Sequence, residues 1–272
     1  MAAVVGERRL EGSVPGDAPI LGLAVLRGSF LLGTSDGLLT SADGLTWQRV
    51  SGFGGETLVA GAADMVVVVS GGKLSVTSDL RTFDPLPVDP GGTTALAAAS
   101  DGTVWVAGGS GRLLVVNPDG STTRLPLEGG PRRVLSLGVL PGEPRTILAG
   151  GLSDGLWRSV TAGREWEQIL GTPIRAVQAD PAEPGRYLIG TAAGVLTASR
   201  TAPEFTDLRQ PVEALAESAG TFYAITLDRL LYESEDGTTW TIVSTRPDGL
   251  SCIVALGRHW EALPNPVLEP LA

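Results

Sequence analysis

A four-strand pattern that returns along the chain constrains this sequence more than any other feature. From Ile20 to Val50 the residues ILGLAVLRGSFLLGTSDGLLTSADGLTWQRV read as four short strands, ILGLAVL, SFLLGT, GLLTSA and TWQRV. Gly, Ser and Asp stand at the breaks, where positive φ or a side-chain-stabilised turn is needed. The same order ends at Leu170 in TILAGGLSDGLWRSVTAGREWEQIL and at Val243 in TFYAITLDRLLYESEDGTTWTIV. No segment holds a 3.6-residue apolar period for three turns, so the chain is expected to be all-β.

Aligned by strand type, first strands begin near Ile20, Thr57, Thr94, Arg133, Ile174, Val212 and Leu250. Second strands begin near Ser29, Met65, Val104, Thr146, Tyr187, Phe222 and His259, and third strands near Gly37, Gly72, Gly111, Gly155, Gly194, Arg229 and Val267. Fourth strands carry Trp47, Phe83, Arg124, Trp166, Phe205 and Trp240, one fewer than the other types. The missing copy is sought at the other end of the chain. Arg8–Ala24 resembles Thr123–Leu137, a fourth strand leading into a first. The expectation is therefore a seven-bladed β-propeller, a single domain over residues 1–272, in which the N-terminal strand completes a blade built from Leu250–Leu271. Spread over 272 residues, seven blades take about 39 residues each, within the propeller range. Six blades are the alternative, because GRHWEALPNPVLEPLA matches the pattern poorly.

The turns between third and fourth strands carry a motif. Ser41-Ala-Asp43-Gly44-Leu-Thr46-Trp47 and Ser234-Glu-Asp236-Gly237-Thr-Thr239-Trp240 are its best copies. Ser159-Val-Thr161-Ala-Gly163-Arg-Glu165-Trp166 and Ser78-Asp79-Leu80-Arg81-Thr82-Phe83 are degraded ones. The Asp carboxylate is suited to accept from turn N–H groups, the Gly to supply positive φ, and the aromatic to pack between blades. The motif resembles the Asp-box, or BNR, repeat Ser-x-Asp-x-Gly-x-Thr-Trp, one residue shorter in the two best copies. The resemblance implies an Asp-box β-propeller, a group that includes sialidases, sortilin-type receptors, xyloglucan-active glycosidases and photosystem II assembly proteins. Within it the boxes are structural staples, here Ser41, Asp43, Gly44, Trp47, Ser159, Gly163, Trp166, Ser234, Asp236, Gly237 and Trp240. The fold alone selects no function.

A sialidase resemblance would imply an arginine triad, a Tyr–Glu nucleophile pair and an Arg-Ile-Pro motif near the first blade. The first blade opens Pro19-Ile20-Leu21 without that motif. Tyr187 and Tyr223 fall in apolar second strands, and Tyr232 neighbours Glu233, which on a strand faces the other way. Asp36, Asp154 and Asp228 occupy turn positions that Asx turns explain. No HExxH, phosphate-binding loop or nucleophile elbow occurs, so neither a catalytic set, a metal nor a cofactor is expected. Cys252 is the single cysteine, His259 the single histidine.

The formal charge of −10 argues against nucleic acid as the partner. No apolar run approaches a membrane span, and MAAVVGERRLEG lacks the apolar core of a signal peptide, so a cytoplasmic location is expected. The basic residues are 19 Arg and one Lys, a set suited to carboxylate pairing. Arg132, Arg133, Arg175 and Arg209 sit in or beside loops leading into first strands, on the face where propellers bind. These four are the expected contact residues of a non-catalytic scaffold or assembly subunit that binds a protein partner. A glycan-binding or glycoside-hydrolysing propeller is the alternative.

Overall fold

A computed structural model of the chain describes residues 14–62, 64–109, 111–140, 146–199, 202–243 and 254–255. Six antiparallel sheets follow one another along it, and among the described residues there is no helix. Blade 1 comprises Ile20–Leu26, Ser29–Thr34, Gly37–Ser41 and Trp47–Gly54. Blade 2 comprises Thr57–Ala62, Met65–Ser70, Lys73–Thr77 and Asp84–Pro85; blade 3, Thr93–Ala98, Val104–Gly108, Arg112–Val116 and Thr122–Pro126. Blade 4 comprises Ser136–Leu140, Thr146–Gly151, Gly155–Ser159 and Glu167–Leu170; blade 5, Ala176–Ala179, Tyr187–Thr191, Gly194–Ala198 and Glu204–Phe205. Blade 6 comprises Val212–Ser218, Thr221–Thr226, Leu231–Ser234 and Thr241–Ile242, with Val254–Ala255 paired outside the last. In each blade the strands run in sequence order from the centre outwards.

The inner strand of each blade packs against that of the next, and the inner strand of blade 6 packs against that of blade 1. The ring is therefore a six-bladed β-propeller. The six-blade alternative is the one observed, and the seventh blade is a correction. Of its expected strands, Val254–Ala255 is described, and it adds to the outer edge of blade 6 instead of lining the centre. The rest of Leu250–Leu271 lies outside the described residues, as does Arg8–Ser13 of the expected closing strand. From Val14 to Pro19 the chain is irregular, and the Val14 N–H donates to Arg229 O at 3.0 Å.

Every blade is covered on both faces by its neighbours, so second strands read as continuous apolar runs instead of alternating. Val66, Val67 and Val68 are each wholly buried. Outer strands meet solvent, and Trp47–Gly54 shows it, with Gln48, Arg49, Ser51 and Gly52 exposed. Between blades lie apolar clusters, each side chain contributing about 1.5–3 kcal/mol by burial. The cluster at the seam of blades 6 and 1 holds Val14, Leu23, Phe30, Leu32, Ala214 and Leu231. There Phe30 meets the edge of Tyr223, ring centroids 5.0 Å apart.

Candidate functional site

Because successive strands are antiparallel, each blade sends its first-to-second and third-to-fourth turns to one end of the ring. Its second-to-third hairpin and the passage to the next blade fall at the other. The Ser-x-Asp-Gly turns occupy the first end. At the blade 1 turn, Asp43 Oδ1 accepts from the N–H groups of Leu45 and Thr46 at 2.9 and 2.7 Å, and Ser41 Oγ accepts from Gly44 N–H at 2.9 Å. Burial works against the Asp43 charge, but the Thr46 and Leu45 N–H groups outweigh it and hold the carboxyl at about 2. Trp47 Nε1 donates to Gly44 O at 3.1 Å. Gly44 has φ +74°, and a Cβ there would lie 2.5 Å from Leu231 Cδ2 of blade 6.

The blade 6 turn repeats the geometry. Asp236 Oδ1 accepts from Thr238 and Thr239, both at 2.7 Å, and Ser234 Oγ from Gly237 at 2.8 Å. Trp240 is buried between blades 5 and 6, and its backbone N–H donates to Asp207 Oδ1 at 3.0 Å. In blade 4, Ser159 Oγ accepts from Gly163, Thr161 Oγ1 replaces the carboxylate and accepts from Glu165, and Trp166 Nε1 donates to Gly163 O. The blade 2 turn is framed one residue earlier than the sequence suggests. Thr77, not Ser78, takes the serine position, its Oγ1 accepting from Leu80 N–H at 2.9 Å, while Asp79 Oδ1 accepts from Arg81 and Thr82. The Ser, Thr and Asp side chains of these turns point into their own turns.

At the other end the inner strands surround a channel of about 240 Å³. Its wall is mostly small and apolar, with Gly61, Ala97 and Gly138 among its residues. Of its polar residues, Ser136 Oγ accepts from Val177 N–H at 2.8 Å, and Thr94 and Gln178 donate to backbone carbonyls. Arg175 and Glu213 also line it. Arg175 is placed by its own N–H, which donates to Gly190 O at 2.9 Å. Glu213 is the extra residue of a bulge between Val212 and Ala214, a device that re-aims a side chain. Its Oε2 is buried without a hydrogen bond among the described residues. Burial raises its carboxyl above the usual range, against the pull of Arg229 and Arg175.

Of the four expected contact arginines, Arg175 alone lines the channel. Arg132 and Arg133 are exposed in the passage into blade 4, whose backbone is held by Asp154 Oδ2 accepting from both N–H groups at 2.9 and 3.2 Å. Arg209 stacks on the exposed Phe205 ring, 4.5 Å from its centroid, beside the outer strand of blade 5. The four thus share an end of the ring without converging on one pocket. Sequence reasoning passed over Glu213, Leu152 and Arg229. Arg229 was legible, since the other five repeats carry a glycine at the turn into the third strand.

None of the three tyrosines lines the channel. Tyr187 and Tyr232 are buried, and burial, with Asp228 adding to it, pushes the Tyr232 phenol up to about 12. Asp36 and Asp228 stay in their hairpins, with Asp228 Oδ1 accepting from Thr226 Oγ1 at 2.5 Å. Among the described residues no three His, Cys, Asp or Glu side chains are grouped to hold a metal ion, and no helix is long and apolar enough to cross a membrane. Cys252 and His259 lie outside the described residues.

Fold and channel together define a six-bladed β-propeller with a charged mouth at the end opposite its Ser-x-Asp-Gly turns. No protein-family model and no curated protein matches the sequence.

Proposed function

We propose that the protein is a non-catalytic interaction scaffold or assembly subunit of the Asp-box propeller type, working in the cytoplasm through a protein partner. Its contact surface is the end that carries Arg132, Arg133, Arg175 and Arg209. The observation that carries the reading is the composition of this end. Leu152 and Leu227, 45% and 53% exposed, stand on its hairpins among these arginines. A rigid ring presenting apolar side chains and guanidinium groups on short loops suits a protein surface, with carboxylates opposite the arginines.

The test is affinity capture of the tagged protein from its native cytoplasm at two salt concentrations, with identification by mass spectrometry. A stoichiometric partner is expected, with capture reduced at least about tenfold when all four arginines are changed to alanine, as the loss of several interface contacts requires. Undiminished capture by that variant would reject this contact surface. A preparation without partner that binds on a glycan array or turns over fluorogenic glycosides would replace the scaffold reading with the glycan one.

A further inference from the structure

Arg229 stands where a glycine is expected. At the turn into the third strand φ lies between +69° and +134° at Gly37, Gly72, Gly111, Gly155 and Gly194, and is +67° at Arg229. A side chain with a Cβ is disfavoured in this left-handed region, so an arginine held there points to a use for its side chain. That use is visible at the N-terminal segment. Arg229 Nη2 donates to Ala18 O at 2.6 Å, and Arg229 O accepts from Val14 N–H at 3.0 Å. Val14 is 2% exposed and belongs to the apolar cluster shared by blades 6 and 1. Pro19 O then accepts from Ser35 N–H in the second-to-third hairpin of blade 1 at 3.0 Å.

The position of this strap matters because of connectivity. The chain itself joins blade 1 to 2 and so on to blade 6, but no such passage joins blade 6 to blade 1. This seam opens without stretching a connecting loop, and its fastening is wholly non-covalent. We propose that Arg229 and residues Val14–Pro19 form a lock across this seam, in which the strained arginine ties the N-terminal segment to blade 6 and so keeps the ring closed. The guanidinium also acts electrostatically on Glu213 in the channel wall, so the lock and the channel mouth share one charged group. The lock does not depend on the scaffold reading or on any partner.

The test turns on a sign. If the arginine only strains its hairpin, Arg229→Gly relaxes the backbone and raises the melting temperature. If it locks the seam, the same variant lowers the melting temperature by roughly 3–6 °C. Amide exchange then rises about tenfold in Ile20–Leu26 and Val212–Ser218, while Thr93–Ala98 and Ser136–Leu140 keep their protection. Gly111→Arg calibrates the strain, since the blade 3 hairpin has φ +69° and open space around the glycine. That variant is expected to lose stability without any seam-specific exchange. Val14→Ala, a milder change on the strap, is expected to reproduce the Arg229→Gly exchange pattern with the arginine in place. A higher melting temperature in Arg229→Gly, or faster exchange spread evenly over all six blades, would overturn the lock.

Discussion

Asp43, Asp79 and Asp236 each spend a carboxylate on the backbone of a single turn, and the cost of that arrangement is sensitivity to acid. Asp43 is held at about 2 against an ordinary value of 3.8, and hydrogen bonds place Asp79 and Asp236 lower still. A depressed folded-state value contributes stability that is complete above the unfolded value and is lost as pH falls through the folded one. Between about pH 4 and pH 2 the urea midpoint of the protein is therefore expected to fall. Asp43→Asn should be less stable than the native chain near neutrality, and the difference should shrink across that window. An unchanging difference between pH 5 and pH 2 would show that the Asp43 charge contributes nothing to the fold. At this scale the sequence was a good guide, because a turn is decided by neighbours within five residues. The framing error at Thr77 has the same local cause: threonine and serine offer the same hydroxyl, and two hydroxyls stood side by side.

Seams between blades are decided at the level of strands and their crossings. Arg186, at the start of the second strand of blade 5, is an example. Its Nη1 pairs with Asp180 Oδ2 at 2.9 Å, Nη2 donates to Asp236 O in the blade 6 turn, and its guanidinium lies 5.7 Å from the Phe222 ring. Asp180 is 3% exposed, so removing its cation leaves a buried carboxylate supported, among the described residues, by the Ala182 and Glu183 N–H groups. Arg186→Ala is expected to cost about 3 kcal/mol in chemical unfolding. Arg186→Ala with Asp180→Asn should recover part of that loss, and a double variant no better than the single would assign the effect to the Asp236 and Phe222 contacts. No sequence spacing announces this seam. The strand starts, by contrast, were legible: Ile20, Thr57, Val212 and Tyr187 begin strands as expected, because turn residues and apolar runs mark them. Inner strands of blades 4 and 5 begin at Ser136 and Ala176, later than Arg133 and Ile174, since those residues are used in the passage between blades.

The whole chain carries a formal charge of −10, with a sequence pI near 4.6. Its arginines at the channel end are local exceptions in a molecule that repels polyanions at long range. The protein is expected to pass through heparin and duplex DNA columns unretained at about 150 mM salt, where the Debye length is about 8 Å. Retention that falls with rising salt would instead reveal a phosphate-binding surface. From its sequence alone the chain determined an all-β ring of four-stranded blades, the positions of the strands within each, and the turns that staple them. These follow from apolar periodicity and turn chemistry, which act over a few residues. Blade number was decided only in three dimensions. Six and seven blades differ by a small change in the angle between neighbouring sheets, and the contacts that close the ring, such as Phe30 with Tyr223 and Gly44 with Leu231, join residues far apart in the chain. The channel mouth was likewise tertiary: Arg175 stands in the passage into blade 5, Glu213 in a bulge and Arg229 in a hairpin of blade 6, and the packing of blade 5 against blade 6 brings Arg175 within electrostatic reach of Glu213.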